Sequence, residues 1–311
     1  MSKNILITGG IGYLGSRMVD YLLKEYPYHN IYFTHYNDKH NSIFNEYKNV
    51  FFRKLDLNVE KDFNNICKNM HIVIHLAFPN EIVCSKDISK SIQEGVKGTY
   101  LLLEEAFRNA VERFIFFSTI HVYGENLNSA IYESSDTSPN HHPYAIAKKS
   151  AEDYVNYYNR KKGLNTTIVR LSNGFGAPFH KNINRHNLFF NDVCSQALTN
   201  RKIVLKSSSQ KKMDFISFTS LFLKMDKICF QENEYKTINI GGYESISILE
   251  MTNKIAKRIN FKLGIKVEIK KNDKEEVINE NFSYNSNHFT NDNTFDEAIN
   301  IEVDKYISFF K

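Results

Sequence analysis

Short apolar runs bounded by turn residues alternate with amphipathic stretches through the first half of this chain. The runs at 5–8, 31–34, 50–55, 72–76 and 114–118 read as strands, with a sixth at 167–171. Helical periodicity marks 13–24, a short stretch near 60–67, then 89–109 and 144–162. Strands alternating with helices in this way build right-handed crossovers and a parallel sheet covered on both faces. Beyond about residue 172 the rhythm is less regular. A loop at 174–178, a helix at 187–200, strands at 203–206 and 237–240 and a helix at 247–260 are expected there. The Asn-rich stretch 281–293 reads as an exposed connection. The expected class is α/β: a doubly wound parallel sheet over 1–172, with a smaller cap over 173–311 interleaved with it.

Composition changes this picture little. Hydrophobic residues at 42% and charged residues at 24% place the 311-residue chain among ordinary globular proteins, long enough to bury a substantial core. Forty basic against 35 acidic residues give +5 with no long basic block, which argues against a nucleic-acid partner. Cys67, Cys84, Cys194 and Cys229 lack metal-ligand spacing, so no metal is expected, and they read as buried free thiols of a reducing compartment. No apolar stretch approaches the ~18 residues that span a bilayer. The first apolar run leads straight into a glycine turn rather than a signal-peptide cleavage site. A cytoplasmic location without membrane association is expected.

The strongest local signal is Thr8-Gly9-Gly10-Ile11-Gly12-Tyr13-Leu14-Gly15, set between a strand and an amphipathic helix. Gly9 permits a tight turn, Gly12 lets backbone approach a pyrophosphate, and Gly15 allows helix to pack closely on strand. The helix N-terminus then offers free N–H groups and a positive dipole end to phosphates. This is the pattern of a Rossmann-type dinucleotide site. A second signal is Tyr144 with Lys148, one helical turn apart and on one face. A neighbouring ammonium favours the phenolate, which can take a proton from a hydroxyl while hydride leaves the same carbon. Such a pair alone is equally compatible with a solvated helix face. The stretch that begins Ser118-Thr119 follows the fifth strand, at the carboxyl edge where open α/β sheets hold ligands.

The Gly-x-x-Gly-x-x-Gly spacing resembles the short-chain dehydrogenase/reductase superfamily. Thr8-Gly-Gly-x-Gly-Tyr-Leu-Gly resembles its extended branch, the nucleotide-sugar epimerases and dehydratases. The resemblance runs along nearly the whole chain, through Gly98-Thr99, Pro143-Tyr-Ala-Ile-Ala-Lys148, Arg170-Leu-Ser-Asn173, Asn239-Ile-Gly-Gly242 and Ser247-Ile-Leu-Glu250. It implies Thr119, Tyr144 and Lys148 as the catalytic set, with Lys148 also holding the nicotinamide ribose. It implies cofactor contacts at Gly9, Gly12, Tyr13, Leu14, Asp56, Leu57, Leu76 and Ala77. It also implies a homodimer formed by packing the helices 89–109 and 144–162 of two subunits into a four-helix bundle.

NAD(H) is the expected cofactor, with NADP(H) as the alternative. Where an acidic residue usually grips the ribose, this chain has His35 or Tyr36, and Asp38 follows late. His35, Lys39 and His40 could instead receive a 2′-phosphate. Two further departures are plain. The usual Asn ahead of Gly-Thr is Gly95, and the usual Arg of Arg-Asp-Phe-Ile is replaced in Lys212-Met213-Asp214-Phe215-Ile216. Lys211 or Lys212 would supply a point charge in place of the bidentate fork.

The 4,6-dehydratases of the branch place Asp-Glu after the threonine, whereas this chain has Ile120-His121. Dehydration is therefore not expected. His121 is either a substrate contact or a hydrogen-bonded shelf residue. Leu171-Ser-Asn-Gly-Phe-Gly-Ala-Pro-Phe-His180-Lys181-Asn-Ile-Asn184 resembles a subgroup of polysaccharide-cluster oxidoreductases that includes enzymes oxidising GDP-D-glycero-α-D-manno-heptose at C4 in capsule biosynthesis. The resemblance implies a GDP-linked sugar as partner and Asn173 as a substrate contact. His180, Lys181 and Asn184 are further candidates, or else polar loop residues. A 4-epimerase is the alternative activity. A catalytically silent dinucleotide-binding scaffold is the alternative from another class, and the intact Thr119, Tyr144 and Lys148 argue against it.

Overall fold

In the computed structural model the described residues are 2–37, 42–124, 127–137, 142–181, 183, 185–232, 235–272, 279–291 and 294–310. The strands are β1 (Asn4–Thr8), β2 (Asn30–His35), β3 (Val50–Lys54), β4 (Ile72–His75), β5 (Arg113–Thr119), β6 (Ala130–Ile131) and β7 (Thr166–Leu171). They continue as β8 (Asn173–Phe175), β9 (Lys202–Val204), β10 (Lys212–Ser217), β11 (Thr237–Ile240), β12 (Ser245–Ser247), β13 (Glu268–Lys270) and β14 (Ser283–Tyr284). The helices are α1 (Tyr13–Glu25), α2 (Glu81–Lys86), α3 (Ile88–Lys90), α4 (Gly98–Arg108) and α5 (Pro143–Tyr157). Then follow α6 (Phe189–Asn200), α7 (Phe218–Phe230), α8 (Ile248–Leu263) and α9 (Phe295–Phe310). No described helix is long and apolar enough to cross a membrane.

Strands β4 and β5 are apolar almost without interruption because helices cover both faces of the sheet, the usual condition of buried parallel strands. Seven strands form one parallel sheet in the order β11-β7-β5-β4-β1-β2-β3. The order reverses between β1 and β4, where Thr8 stands opposite His75. This is the topological switch point, whose carboxyl edge is where open α/β sheets bind ligands. The expected doubly wound class is the observed one.

The chain divides into two compact units. The first comprises 1–125, 136–170 and 226–238, and the second 126–135, 171–225 and 239–311. In the first unit, α4 and α5 bury Leu102, Leu103, Ala106, Ala151 and Val155 on Leu6, Val73, Phe114 and Phe116 of the sheet. In the second, α6, α8 and α9 enclose a core that includes Phe175, Phe190, Phe215, Met251, Ile255 and Tyr306. Its strands form small sheets: β12-β10-β8, β13-β9 and β14-β6.

Three expectations need correction. The helix expected at 89–109 is α3, a wide π-type turn at Ser91–Lys97 and then α4. The helix expected near 60–67 is only a 3-10 turn, Glu60–Phe63. The stretch 281–293 is not simply an exposed connection: Phe282 and Tyr284 are buried, and Ser283 and Tyr284 pair with Ala130 and Ile131. Its many Asn and Ser residues mask those apolar anchors. The four cysteines are all buried free thiols.

A buried ion pair fastens α5 to the sheet. Arg170, near the end of β7, donates from Nε and a terminal nitrogen to both carboxylate oxygens of Glu152 at 3.0 and 2.7 Å. Its other terminal nitrogen donates to the Tyr123 hydroxyl at 2.8 Å. Both charged groups are nearly out of contact with solvent, and the bidentate geometry satisfies the guanidinium fork. A lone charge at either position would be costly, so each holds the other in place. Helix α5 is thereby tied to β7 and to the turn that follows β5.

Candidate active site

The glycine loop leaves β1 at Gly9, whose φ of +69° suits a residue without a Cβ. Its N–H donates to Thr34 Oγ1 at 3.2 Å. Gly12 N–H donates to Gly9 O at 2.8 Å, and Gly12 opens α1 as an N-cap that makes no side-chain hydrogen bond. A Cβ on Gly15 would lie 2.2 Å from Gly9 O, and one on Gly12 would lie 3.0 Å from it. The turn and the helix thus meet at van der Waals contact along a cradle that side chains would fill. A dinucleotide pyrophosphate fits such a cradle, which offers backbone N–H groups and a helix dipole.

Beside the cradle, every hydrogen of a buried chain can be assigned. Thr8 Oγ1 accepts from Leu76 N–H and Ala77 N–H at 3.2 and 3.1 Å. Its own hydrogen therefore goes to His75 Nδ1, 2.7 Å away. His75 Nε2–H then donates to Thr99 Oγ1 at 3.1 Å, and Thr99 donates onward to Gly95 O at 2.7 Å. Burial, with Lys148 adding to it, pushes the His75 pKa down to about 3, so the ring is neutral. This chain fixes Leu76 and Ala77 against Gly9, where a Cβ would meet the Ala77 backbone at 3.1 Å.

His35 ends β2 half-buried, with Nδ1 3.2 Å from both oxygens of Asn37 and its ring 4.2 Å from that of Tyr36. Asp38, Lys39 and His40 lie outside the described residues. Asp56 turns the chain after β3 by accepting from Asn58 N–H at 2.9 Å, and Leu57 packs under Gly98. Tyr13 and Leu14 form the first turn of α1.

Thr119, Tyr144 and Lys148 all belong to the first unit. Thr119 closes β5, buried, and its Oγ1 accepts from His121 N–H at 3.3 Å. Tyr144 and Lys148 share a face of α5, whose N-cap is His142: its Nδ1 accepts from Tyr144 N–H at 3.2 Å. Lys148 is buried. Its Nζ donates to Phe117 O at 2.6 Å and lies 3.8 Å from the Phe78 ring centroid, 4.8 Å from that of Phe116 and 5.8 Å from that of Tyr144. Burial lowers its pKa to about 7, against smaller upward pulls from Cys84 and Glu152.

Of the other expected contacts, His121 is exposed on the turn after Thr119. Asn173 begins β8 in the second unit and donates its amide to Asp214 O at 2.8 Å. His180 and Lys181 lie on the loop beyond it, and His180 O accepts from Ile183 N–H. Asn184 lies outside the described residues. The sequence reading missed His75, Phe78, His142 and Glu152. Only His75 carried a local signal: a histidine at the end of an otherwise apolar strand.

The sequence profile of the NAD dependent epimerase/dehydratase family matches residues 5–241. The dTDP-D-glucose 4,6-dehydratase of Mus musculus is 26% identical over 278 residues, spanning 83% of this chain and 73% of that protein. The solved UDP-N-acetylglucosamine 4-epimerase from Methanobrevibacter ruminantium M1 superposes with a TM-score of 0.83 at 22% identity, over 99% of each chain. UDP-glucose 4-epimerase from Thermotoga maritima superposes at 0.82 and 19% identity, over 99% of this chain and all of that one. At these identities the two structures establish a common fold.

The buried ammonium has a pH signature. Because the Lys148 pKa is depressed in the folded chain, the unfolded chain binds more protons between about pH 7 and the ordinary lysine range. Stability rises with pH across that window, and below it the cost of the buried charge is felt in full. Lys148→Met in cofactor-stripped protein is therefore expected to raise Tm by roughly 5 °C or more below pH 7. The gain should shrink as pH climbs toward 10. Thermal melts across this range that give a pH-independent difference would contradict the desolvated ammonium.

Proposed function

The chain belongs to the NAD dependent epimerase/dehydratase family, and from that premise we propose that it oxidises C4 of a nucleotide-linked sugar without eliminating water. GDP-D-glycero-α-D-manno-heptose, in capsule biosynthesis, is the proposed substrate. One observation carries the choice of reaction. Thr119 is followed by Ile120, buried, and by His121, so no carboxylate stands where the branch's 4,6-dehydratases hold their acid and base. Without those groups a 4-keto sugar has no ready route to a 6-deoxy product. The substrate rests on the likeness of 171–184 to the GDP-heptose-oxidising subgroup.

NAD, bound at Gly9, Gly12 and the start of α1, supplies the hydride acceptor. Tyr144 takes the proton of the C4 hydroxyl, and Thr119 hydrogen-bonds the same oxygen. The Lys148 ammonium favours the phenolate and retains donors for the ribose hydroxyls. His35 serves the adenine ribose, with Asp56, Leu57, Leu76 and Ala77 lining the cofactor. In the second unit Asn173, His180 and Lys181 are the proposed substrate contacts, and Asn184 is proposed with them. A 4-epimerase is the second reading, favoured by the fold shared with two structures so named.

We also propose a homodimer. Ile88, Ile92, Tyr100 and Phe107 around α3 and α4, and Ile146, Tyr154 and Tyr157 on α5, are exposed large apolar residues on paired helices. Tyr100 and Tyr154 are 6.0 Å apart, so the two sets form one patch. Sedimentation at micromolar concentration should give a dimer that Tyr154→Asp/Ile92→Asp dissociates. A wild-type monomer at that concentration would contradict the proposal.

Tyr144→Phe should lower hydride transfer by roughly 100-fold or more, since it removes the proton acceptor and keeps the ring. NADH affinity should stay near the wild-type value in a fluorescence titration. Turnover within a few-fold of wild type would remove Tyr144 from the reaction.

Incubation with GDP-, UDP- and CDP-linked sugars, GDP-heptose among them, followed by mass spectrometry, distinguishes the reactions. Loss of two hydrogens from the sugar with NADH formed is the expected result. Loss of water would overturn the reading, and unchanged mass with inverted C4 would establish the epimerase.

A further inference from the structure

Gly95 lies within the π-type turn ahead of α4, and its bare Cα faces the edge of the Phe78 ring. A Cβ at residue 95 would stand 2.6 Å from Phe78 Cζ and 2.8 Å from Cε1, closer than real atoms approach. The position of the ring thus depends on residue 95 being glycine. The face of the Phe78 ring is equally committed. Its centroid is 3.8 Å from Lys148 Nζ, and it meets the Tyr144 ring edge-on at 6.0 Å and 86°. An ammonium has three donors, and only the one to Phe117 O has an acceptor among the described residues. The aromatic faces of Phe78 and Phe116 attract the rest of the charge without consuming a donor.

We propose that Phe78, seated by Gly95, is a positioning residue for Lys148: its ring holds the ammonium beside Tyr144 with two donors uncommitted. This rests on the assignment of Lys148 as a group that contacts the cofactor, and it goes beyond it by naming what sets the lysine in place. The advantage is chemical. A carboxylate partner would hold the ammonium more tightly, but would also neutralise it and occupy its donors. A ring face stabilises the charge and leaves those donors available to ribose and phenol oxygens.

The other titratable groups that face Lys148 are His75, Cys84, Glu152 and Tyr144. His75, from β4, is neutral. Cys84, from α2, has its thiol pKa raised by burial. Glu152, one turn along α5, is paired with Arg170. Tyr144 is the phenol that the ammonium serves.

The test is NADH affinity, read by fluorescence titration from pH 6 to 9 in wild type, Gly95→Ala, Phe78→Leu and the double variant. Gly95→Ala should weaken NADH about tenfold by displacing the ring from its seat against Lys148. Phe78→Leu should weaken it less, and should move the pH at which affinity is lost to a lower value. An apolar side chain keeps the ammonium dry but offers no ring face to attract it. Phe78→Met gives the same comparison with a side chain that adapts to the gap, should leucine compromise folding. The double variant should bind better than Gly95→Ala alone, because the shorter side chain relieves the clash. Independent, multiplicative effects, or an unchanged pH midpoint in both Phe78 variants, would overturn the proposal, since simple packing damage weakens binding equally at every pH. NADH binding requires no sugar, so a wrong substrate leaves this test intact. Full turnover by Tyr144→Phe would strike the catalytic reading without deciding the role of Phe78.

Discussion

A lysine ammonium stripped of water is the constraint that organises the first unit. Removing such a charge from solvent costs several kcal/mol unless neighbours compensate. Here compensation comes from one carbonyl, Phe117 O, and from two aromatic faces. That arrangement depends on α5 being held in place against β5. The Arg170–Glu152 pair supplies this restraint, because it bolts the next turn of the same helix to β7 through two parallel hydrogen bonds. The third guanidinium bond, to the Tyr123 hydroxyl, reaches the turn that follows Thr119. One arginine therefore governs the relative placement of the strand end and the helix face that carry the candidate chemistry.

The same economy is visible at the switch point. A sheet edge that binds a ligand must leave backbone groups free toward the ligand and satisfy them everywhere else. Thr8, His75 and Thr99 do this with a directed run of hydrogen bonds ending on Gly95 O. A protonated imidazole would have to donate at both nitrogens and would reverse the Thr8 bond, so burial that keeps His75 neutral also keeps the run in register. Gly95 closes two structures at once: its carbonyl terminates this run, and its missing side chain admits Phe78. The glycine cradle and the lysine pocket are thereby parts of one packed arrangement.

Much of this was legible in the sequence because it is local. Strands β1, β2, β4, β5 and β7 are apolar runs set off by turns. The glycine loop and the Tyr144/Lys148 pair are spacings within one turn or one helix. What escaped was created by folding. Helices α7 and α9, aromatic and without a clean polar face, gave no period to read. The buried Tyr284 was masked by Asn and Ser neighbours. Phe78 lies far in the chain from both Gly95 and Lys148, and neither residue type announces the other. Nothing local in the sequence pairs Glu152 with Arg170; β7 brings the two together. The departure at residue 95 was readable as a missing side chain, but what fills the space could only be seen in three dimensions.

Two departures from the extended-branch pattern bear on chemistry in different ways. At residues 120 and 121, an apolar side chain and an exposed histidine stand in place of two carboxylates, which removes acid–base capacity at neighbouring carbons. At residue 95, a glycine in place of the usual Asn admits the Phe78 ring beside the lysine and leaves Thr119, Tyr144 and Lys148 in place. In the proposed reaction, the first change narrows what can follow oxidation at C4. The second leaves the proposed catalytic residues unchanged and sets a ring face against the ammonium. A chain that had lost its catalytic purpose would have no reason to keep an expensive buried ammonium, since a methionine would pack there at lower cost. Retaining Lys148 together with a dedicated aromatic enclosure is the physical argument that this site performs chemistry.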